Sequence, residues 1–244
     1  MLKIAQITDL HIGWEGEETY GVDVRQNFLS VLADLQTHKP DHLVVTGDLC
    51  YLDGRAGIYQ WIKEKLDDTG LSYEVLSGNH DDPKILAEVF GLQSDLKDGE
   101  LFYSRNWEDH HIIFLDTTTG VVSDAQLVWL EDQVAKLSGT ALVFMHHPPL
   151  LAGVQFMDRN HPLHNGSAVR DILNSYGDIV HIFTGHYHAA RSIQEKRLCV
   201  NITPACYFQI NPFADDFAVD HYRIGYRWIE WTGEQFRHSV RYLG

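Results

Sequence analysis

Short apolar runs alternate along the chain with stretches whose hydrophobic positions recur every three to four residues. That alternation predicts strands followed by helices. Leu2–Ile7 reads as a buried strand. Val24, Phe28, Val31, Leu32 and Leu35 line one face of a helix over 22–38, which Pro40 closes. A strand follows over His42–Thr46, then a helix face of Ile58, Trp61, Ile62 and Leu66, then a strand over 73–77. Residues 82–90 read as a helix with Pro83 in its first turn. A strand over 111–115 precedes the capping pattern that opens at Ser123 and the helical spacing of Leu127, Leu130, Val134 and Leu137. The series continues with a strand over Ala141–Met145, a helix over 167–176 and a strand over 179–184. From about 197 the pattern turns mainly β, with strands at 224–231 and 235–242 joined by a turn around Gly233. The prediction is one α/β domain over 1–244 with a β-rich part from about 197 to 244.

The polar residues that follow these strands carry the chemistry. Ile-Ala-Gln-Ile-Thr runs into Asp9 and His11, Leu-Val-Val-Thr-Gly into Asp48, and Glu-Val-Leu-Ser-Gly into Asn79 and His80. Leu-Val-Phe-Met runs into His146 and His147, and His-Ile-Phe-Thr-Gly into His186 and His188. Sites in α/β sheets gather beyond the carboxyl ends of strands, so five such ends can share one crevice. Asp9 and His11 are two apart, as are His186 and His188, and extended backbone would aim each pair to one side. Gly47, Gly78 and Gly185 each precede a polar residue, where a sharp exit or a close approach suits glycine. Two Asp, one Asn and four His form a mixed set suited to transition metals rather than to an all-oxygen Mg²⁺ or Ca²⁺ site. Seven donors are few for two ions unless one bridges, and the Asp48 carboxylate has two oxygens with which to do so.

Composition and charge narrow the alternatives. The chain has 244 residues, a 44% hydrophobic share and a net charge of −15. So acidic a surface argues against a nucleic-acid polymer as partner. Two bound cations would still make the site itself attractive to a small anion. No apolar run is long enough for a membrane helix, and the N-terminus lacks a signal-peptide pattern. Three cysteines, Cys50, Cys199 and Cys206, are too few and too odd in number for a disulfide framework. The reading is cytoplasmic, with no membrane partner, and a homo-oligomer is compatible with it.

Taken together, Asp9-X-His11, Gly47-Asp48, Gly78-Asn79-His80-Asp81, His146-His147-Pro148-Pro149 and Gly185-His186-X-His188 resemble the motifs of the calcineurin-like metallophosphoesterases, across nearly the whole chain. A narrower likeness is to the bacterial class III 3′,5′-cyclic-nucleotide phosphodiesterases and to glycerophosphodiesterases. It rests on Tyr20-Gly21 with Asp23, the run Phe144 to Leu150, Met157-Asp158, Asp215-Asp216-Phe217 and Gly225-Tyr226-Arg227. The resemblance implies two packed mixed β-sheets flanked by helices, an αββα sandwich. It implies two divalent ions, Mn²⁺ or Fe²⁺/Fe³⁺ with Zn²⁺ or Co²⁺ as alternatives. One ion would be held by Asp9, His11 and His188, the other by Asn79, His146 and His186, with Asp48 between them. His80, Asp48 and Asn79 form the implied catalytic set. Asp81 could orient a ring.

The implied reaction is in-line attack on a small phosphodiester by hydroxide generated at the ions, with 3′,5′-cyclic AMP going to 5′-AMP as the leading substrate. Glycerophosphodiesters or other small diesters are the alternative, because the ligands cannot separate the two. A non-catalytic interaction module on the same fold is a remote third, since a scaffold needs no complete ligand set. Specificity is expected in the loops at 53–57, 151–166 and 206–222. His161, His164 and Asn165 are candidates for the pocket rim, His147 for a contact to substrate or behind the neighbouring ligand, and Tyr20 and Tyr207 for contact with a base or other leaving group.

Overall fold

The computed structural model describes residues 1–232 and 235–243. The turn expected around Gly233 lies outside them. The chain runs β1 (Leu2–Ile7), α1 (Val24–His38), β2 (His42–Thr46), α2 (Ala56–Asp67), β3 (Tyr73–Leu76) and α3 (Pro83–Phe90). Next come β4 (Leu96–Lys97), β5 (Glu100–Leu101), β6 (Tyr103–Trp107), β7 (His110–Leu115), α4 (Asp124–Val134) and β8 (Ala141–Met145). After them are α5 (Gln155–Asn160), α6 (Gly166–Ser175), β9 (Val180–Thr184), β10 (Arg191–Glu195) and β11 (Leu198–Ile202). The last elements are β12 (Gln209–Ile210), β13 (Val219–His221), β14 (Gly225–Trp231) and β15 (Phe236–Tyr242).

Two mixed sheets form the frame. One has the order β15-β14-β1-β2-β3, the other β10-β11-β9-β8-β7-β6. Within the first, β1, β2 and β3 are parallel and β14 returns antiparallel beside β1. Within the second, β7, β8, β9 and β11 are parallel. Alternation along β8 divides its side chains. Leu142 and Phe144 join the core shared with the first sheet, while Ala141, Val143 and Met145 face the α4 and α6 side. Phe114, Phe144 and Phe183 stack across three neighbouring strands at 5.5 Å per step. Burying each ring contributes roughly 1.5–3 kcal/mol.

Caps set the helix starts. Asp23, Asp82 and Ser123 accept from the backbone N–H groups of Gln26, Lys84 and Ile85, and Gln126 respectively. Among the described residues no helix is long and apolar enough to cross a membrane. Because each sheet contributes parallel strands, their carboxyl ends can open on one edge of the sandwich, and there the polar residues meet.

Candidate metal centre

Beyond their ends, β1 and β2 stay paired. Asp9 N–H donates to the Gly47 carbonyl (3.1 Å), His11 N–H to Asp48 (3.0 Å) and Ile12 N–H to Leu49 (2.9 Å). Strand alternation therefore does not aim Asp9 and His11, contrary to the sequence expectation. Both lie past β1 with left-handed φ, 53° and 46°. Asp48 (51°), His186 (66°) and His188 (46°) share that conformation. Five strained non-glycine residues cost on the order of 1–2 kcal/mol each, and they persist because the surrounding bonds over-determine them. At Gly47 φ is 95°, and a Cβ would lie 2.5 Å from His146 Nδ1. At Gly185 the reason is space, since a Cβ would overlap Thr8 Oγ1 and Asp9 Oδ2.

Asp81 is buried, and its hydrogen bonds among the described residues go to backbone N–H groups and to Tyr59 rather than to a histidine ring. It accepts the N–H groups of Gly78 (2.8 Å), Leu49 (3.1 Å) and Cys50 (3.2 Å) and the Tyr59 hydroxyl (3.0 Å). It thus ties the loop after β2 to the loop after β3. Burial, then the charge of Asp48, pushes its carboxyl up to about 6 against those donors.

The donor atoms converge in two triads, Asp9 with His11 and His188, and Asp48 with His146 and His186. His80 also approaches His11 and Asp48. Around an ion with ligand bonds of about 2.0–2.2 Å, donor atoms sit roughly 3–3.6 Å apart. Here His188 Nε2 is 3.4 Å from Asp9 Oδ1 and 3.1 Å from His11 Nε2. His146 Nε2 is 3.3 Å from Asp48 Oδ2 and 3.2 Å from Asn79 Oδ1. Asp48 Oδ2 is also 3.7 Å from His11 Nε2, between the two groups, while its Oδ1 accepts from His80 N–H at 2.9 Å.

The outward ring nitrogens are committed to backbone carbonyls. His146 Nδ1 donates to Thr46 (2.8 Å), His188 Nδ1 to Phe208 (3.0 Å) and His186 Nε2 to His161 (3.0 Å). That fixes each tautomer and leaves a bare lone pair pointing inward. Lone pairs and carboxylate oxygens at such distances repel unless a positive charge lies among them, so the residues fit a pair of cations.

Protons compete for the same positions. Burial opposes charge on His146, but Asp48 beside it holds the ring up to about 9. Against the same burial, His146 holds Asp48 well below the usual carboxylate range. Burial holds His11 and His186 down to about 3, so both are neutral donors at neutral pH.

Next to the triads opens a cleft of about 340 Å³ lined by His80, His161, Tyr20, Tyr207, Phe208 and Phe217 among others. His80 Nδ1 donates to the Leu52 carbonyl (3.1 Å), leaving Nε2 for this cleft. Two rim candidates lie elsewhere. Asn165 makes a pair of bonds with the Val122 backbone, and His164 packs at Gly120. His147 is buried behind the site, its Nδ1 at 2.9 Å from Thr117 Oγ1 and its ring 4.0 Å from His186. Of the loops expected to set specificity, 151–166 and 206–222 reach the cleft, whereas the 53–57 loop does not line it. Within those loops the sequence reading does not single out Phe156, Phe208 and Ile210, which no polar motif marks.

The family described as calcineurin-like phosphoesterase matches residues 2–190. A probable cyclic nucleotide phosphodiesterase of Fibrobacter succinogenes is 36% identical over 243 residues, covering 100% of this chain and 94% of that protein. A 3′,5′-cyclic adenosine monophosphate phosphodiesterase of Vibrio vulnificus is 28% identical, covering 93% of this chain and 84% of that protein. Among solved structures, a dimetal phosphatase from Danio rerio superposes with a TM-score of 0.67 at 15% identity, covering 93% of this chain and 94% of the other.

Proposed function

Since the chain belongs to the calcineurin-like phosphoesterase family, we propose that it hydrolyses a small phosphodiester, 3′,5′-cyclic AMP before others, to the 5′-monophosphate. Members of that family are metal-dependent phosphoesterases, and the names of the Fibrobacter and Vibrio relatives favour a cyclic nucleotide. The observation that carries the reading is the convergence of two donor triads on one open cleft.

Asp9, His11 and His188 would hold one divalent ion and Asn79, His146 and His186 the other, with Asp48 shared. Manganese or iron suits this nitrogen and oxygen set, and zinc or cobalt would also bind. Two such ions supply positive charge for the phosphoryl oxygens and lower the pKa of water toward neutrality. The chain's own part is to fix geometry and handle one proton. Asp48 is held in place by the His80 N–H, and Asp9 by the His186 N–H at 3.0 Å. With Nδ1–H bound to the Leu52 carbonyl, His80 presents Nε2 to the cleft. In its doubly protonated, imidazolium form it gives the Nε2 proton to the departing ester oxygen and is left as the neutral ring. The three cysteines are free thiols, in keeping with the reducing, cytoplasmic setting of this reading.

The test compares Mn²⁺-loaded protein on 3′,5′-cyclic AMP, glycerophosphocholine and bis(p-nitrophenyl) phosphate, with Asp48→Ala as control. Cyclic AMP is expected to be cleaved with the highest kcat/KM, and the variant to be inactive. A higher kcat/KM on glycerophosphocholine would retire the cyclic-nucleotide assignment while leaving the phosphodiesterase chemistry in place.

A further inference from the structure

The outer half of the cleft is aromatic beyond what a metal centre needs. Tyr20, Phe208 and Phe217 pack edge to face, with centroid distances of 5.7 Å (Tyr20–Phe208), 6.3 Å (Tyr20–Phe217) and 5.7 Å (Phe208–Phe217). Tyr207 continues this wall inward, 4.1 Å from Phe208 and 5.0 Å from His11. Two of the rings face water, Tyr20 at 60% exposure and Phe217 at 41%. Tyr20 is also held at a left-handed φ of 54°, in a turn where Glu18 Oε1 accepts from Gly21 N–H at 2.6 Å. A strained residue presenting a large apolar ring at a cleft mouth calls for a covering group.

A second observation is polar. Tyr207 is only 2% exposed, and its hydroxyl lies near the Tyr51 phenol but makes no hydrogen bond of ordinary geometry among the described residues. Burial, and then the nearby Tyr51 and Tyr20 phenols, keep that hydroxyl protonated. An unpaired buried hydroxyl costs roughly 1–3 kcal/mol until something bonds to it. Among the described residues the cleft is lined by no lysine or arginine, so nothing there awaits a second anionic group.

We propose that this half of the cleft is a nucleoside subsite. A planar base lies against Tyr20, Phe208 and Phe217, and the Tyr207 hydroxyl bonds to a sugar hydroxyl. The proposal rests on the phosphodiesterase reading and adds what recognises the rest of the substrate. A glycerol group is too small and too polar to cover the wall. A quaternary ammonium would also be drawn to the face of one of these rings, but it offers no hydrogen-bond partner to the Tyr207 hydroxyl, which a sugar does.

The experiment has two arms. In the first, saturation-transfer NMR follows adenosine binding to EDTA-treated wild type, Tyr207→Phe and the exposed-site double variant Tyr20→Ala with Phe217→Ala. The base signal is expected in wild type and lost in the double variant. In the second, Mn²⁺-loaded proteins are assayed on 3′,5′-cyclic AMP and glycerophosphocholine. The double variant should raise KM for cyclic AMP roughly tenfold or more, a stacked base being strongly held. Tyr207→Phe should lower kcat/KM for cyclic AMP roughly three- to tenfold, the size of one hydrogen bond. Glycerophosphocholine should change far less in either. Adenosine that does not bind wild type, or binds the double variant equally well, overturns the subsite, as does an equal loss on glycerophosphocholine. Adenosine binding that depends on the wall, without cyclic AMP hydrolysis, keeps the subsite and removes the cyclic-nucleotide reading. Cyclic AMP hydrolysis indifferent to the substitutions does the reverse.

Discussion

His80 shows what a single residue can do at this centre and how it would be isolated. It borders His11 and Asp48, yet its Nδ1 is bound to the Leu52 carbonyl, so one ring nitrogen is spent on orientation. Removing the ring should leave both donor triads intact. His80→Ala is expected to retain two ions per chain by elemental analysis and to lose about 10²- to 10⁴-fold in kcat. Loss of an ion would make His80 a ligand rather than a proton donor. Full turnover would remove it from the chemistry.

The seven candidate donors stand out in the sequence because few residue types can serve a metal and each follows a strand. Their backbone was not legible. Left-handed φ at Asp9, His11, Asp48, His186 and His188 falls on Asp and His, which visit that region more often than other side chains. Identity alone does not single out these positions among the chain's many Asp and His, and the left-handed conformation replaces the strand alternation that the spacing suggests. Asp81 is similar. Its adjacency to His80 suggests a ring partner, whereas the fold uses it to accept three backbone N–H groups from two loops.

Elements were legible to the degree that they are buried. The strands β1, β2, β8 and β9 are apolar runs at the centre of their sheets, and all four were read from the sequence. The reading passed over β6 and β10, and these are the two edges of the six-stranded sheet. Their sequences, Tyr-Ser-Arg-Asn-Trp and Arg-Ser-Ile-Gln-Glu, carry the polar residues that edges need to resist further pairing. The short α5 went unseen too, since six residues give too little periodicity.

The junctions after the strands are less tolerant than the strands themselves. Gly185 N–H donates to the His146 carbonyl at 3.0 Å, joining the exits of β8 and β9. A methyl at Gly185 meets Thr8 and Asp9, so either the Asp9 carboxylate or the His186 loop must move. Gly185→Ala is expected to weaken the tighter ion by about 10- to 100-fold, the usual loss when a ligand's support is disturbed. Calorimetric titration with Mn²⁺ reads this directly, and unchanged affinity would mean that Thr8 gives way instead.

At the scale of the whole molecule, the two sheets are joined by polar as well as apolar contacts. Arg227 on β14 is buried and reaches the other sheet, donating to the Ile202 carbonyl (2.8 Å) and the Thr203 hydroxyl (3.0 Å). Among the described residues it has no carboxylate partner. Its remaining neighbour is His238 Nδ1 on β15, at 3.0 Å. Burial, then the arginine charge, holds His238 down to about 4. Across the interface, burial and then His238 hold His181 of β9 down to about 4, where it stacks on Phe236 at 4.0 Å.

Both rings are therefore neutral in the fold and titrate near 6.5 when unfolded. Between about pH 6.5 and 4 the unfolded chain binds the extra protons, so acid must lower stability across that window. Each group can add a slope of about 1.4 kcal/mol per pH unit at most, less for half-exposed rings that solvent screens. His238→Gln retains an acceptor for Arg227 but removes a protonation site. With EDTA present, its urea midpoint should fall less than that of wild type between about pH 7 and 4.5. The carboxylates of the metal centre titrate alike in both proteins and cancel in the difference. Parallel curves would place the acid sensitivity at that centre and make the inter-sheet histidines spectators, whereas diverging curves would show that the joint between the sheets yields first.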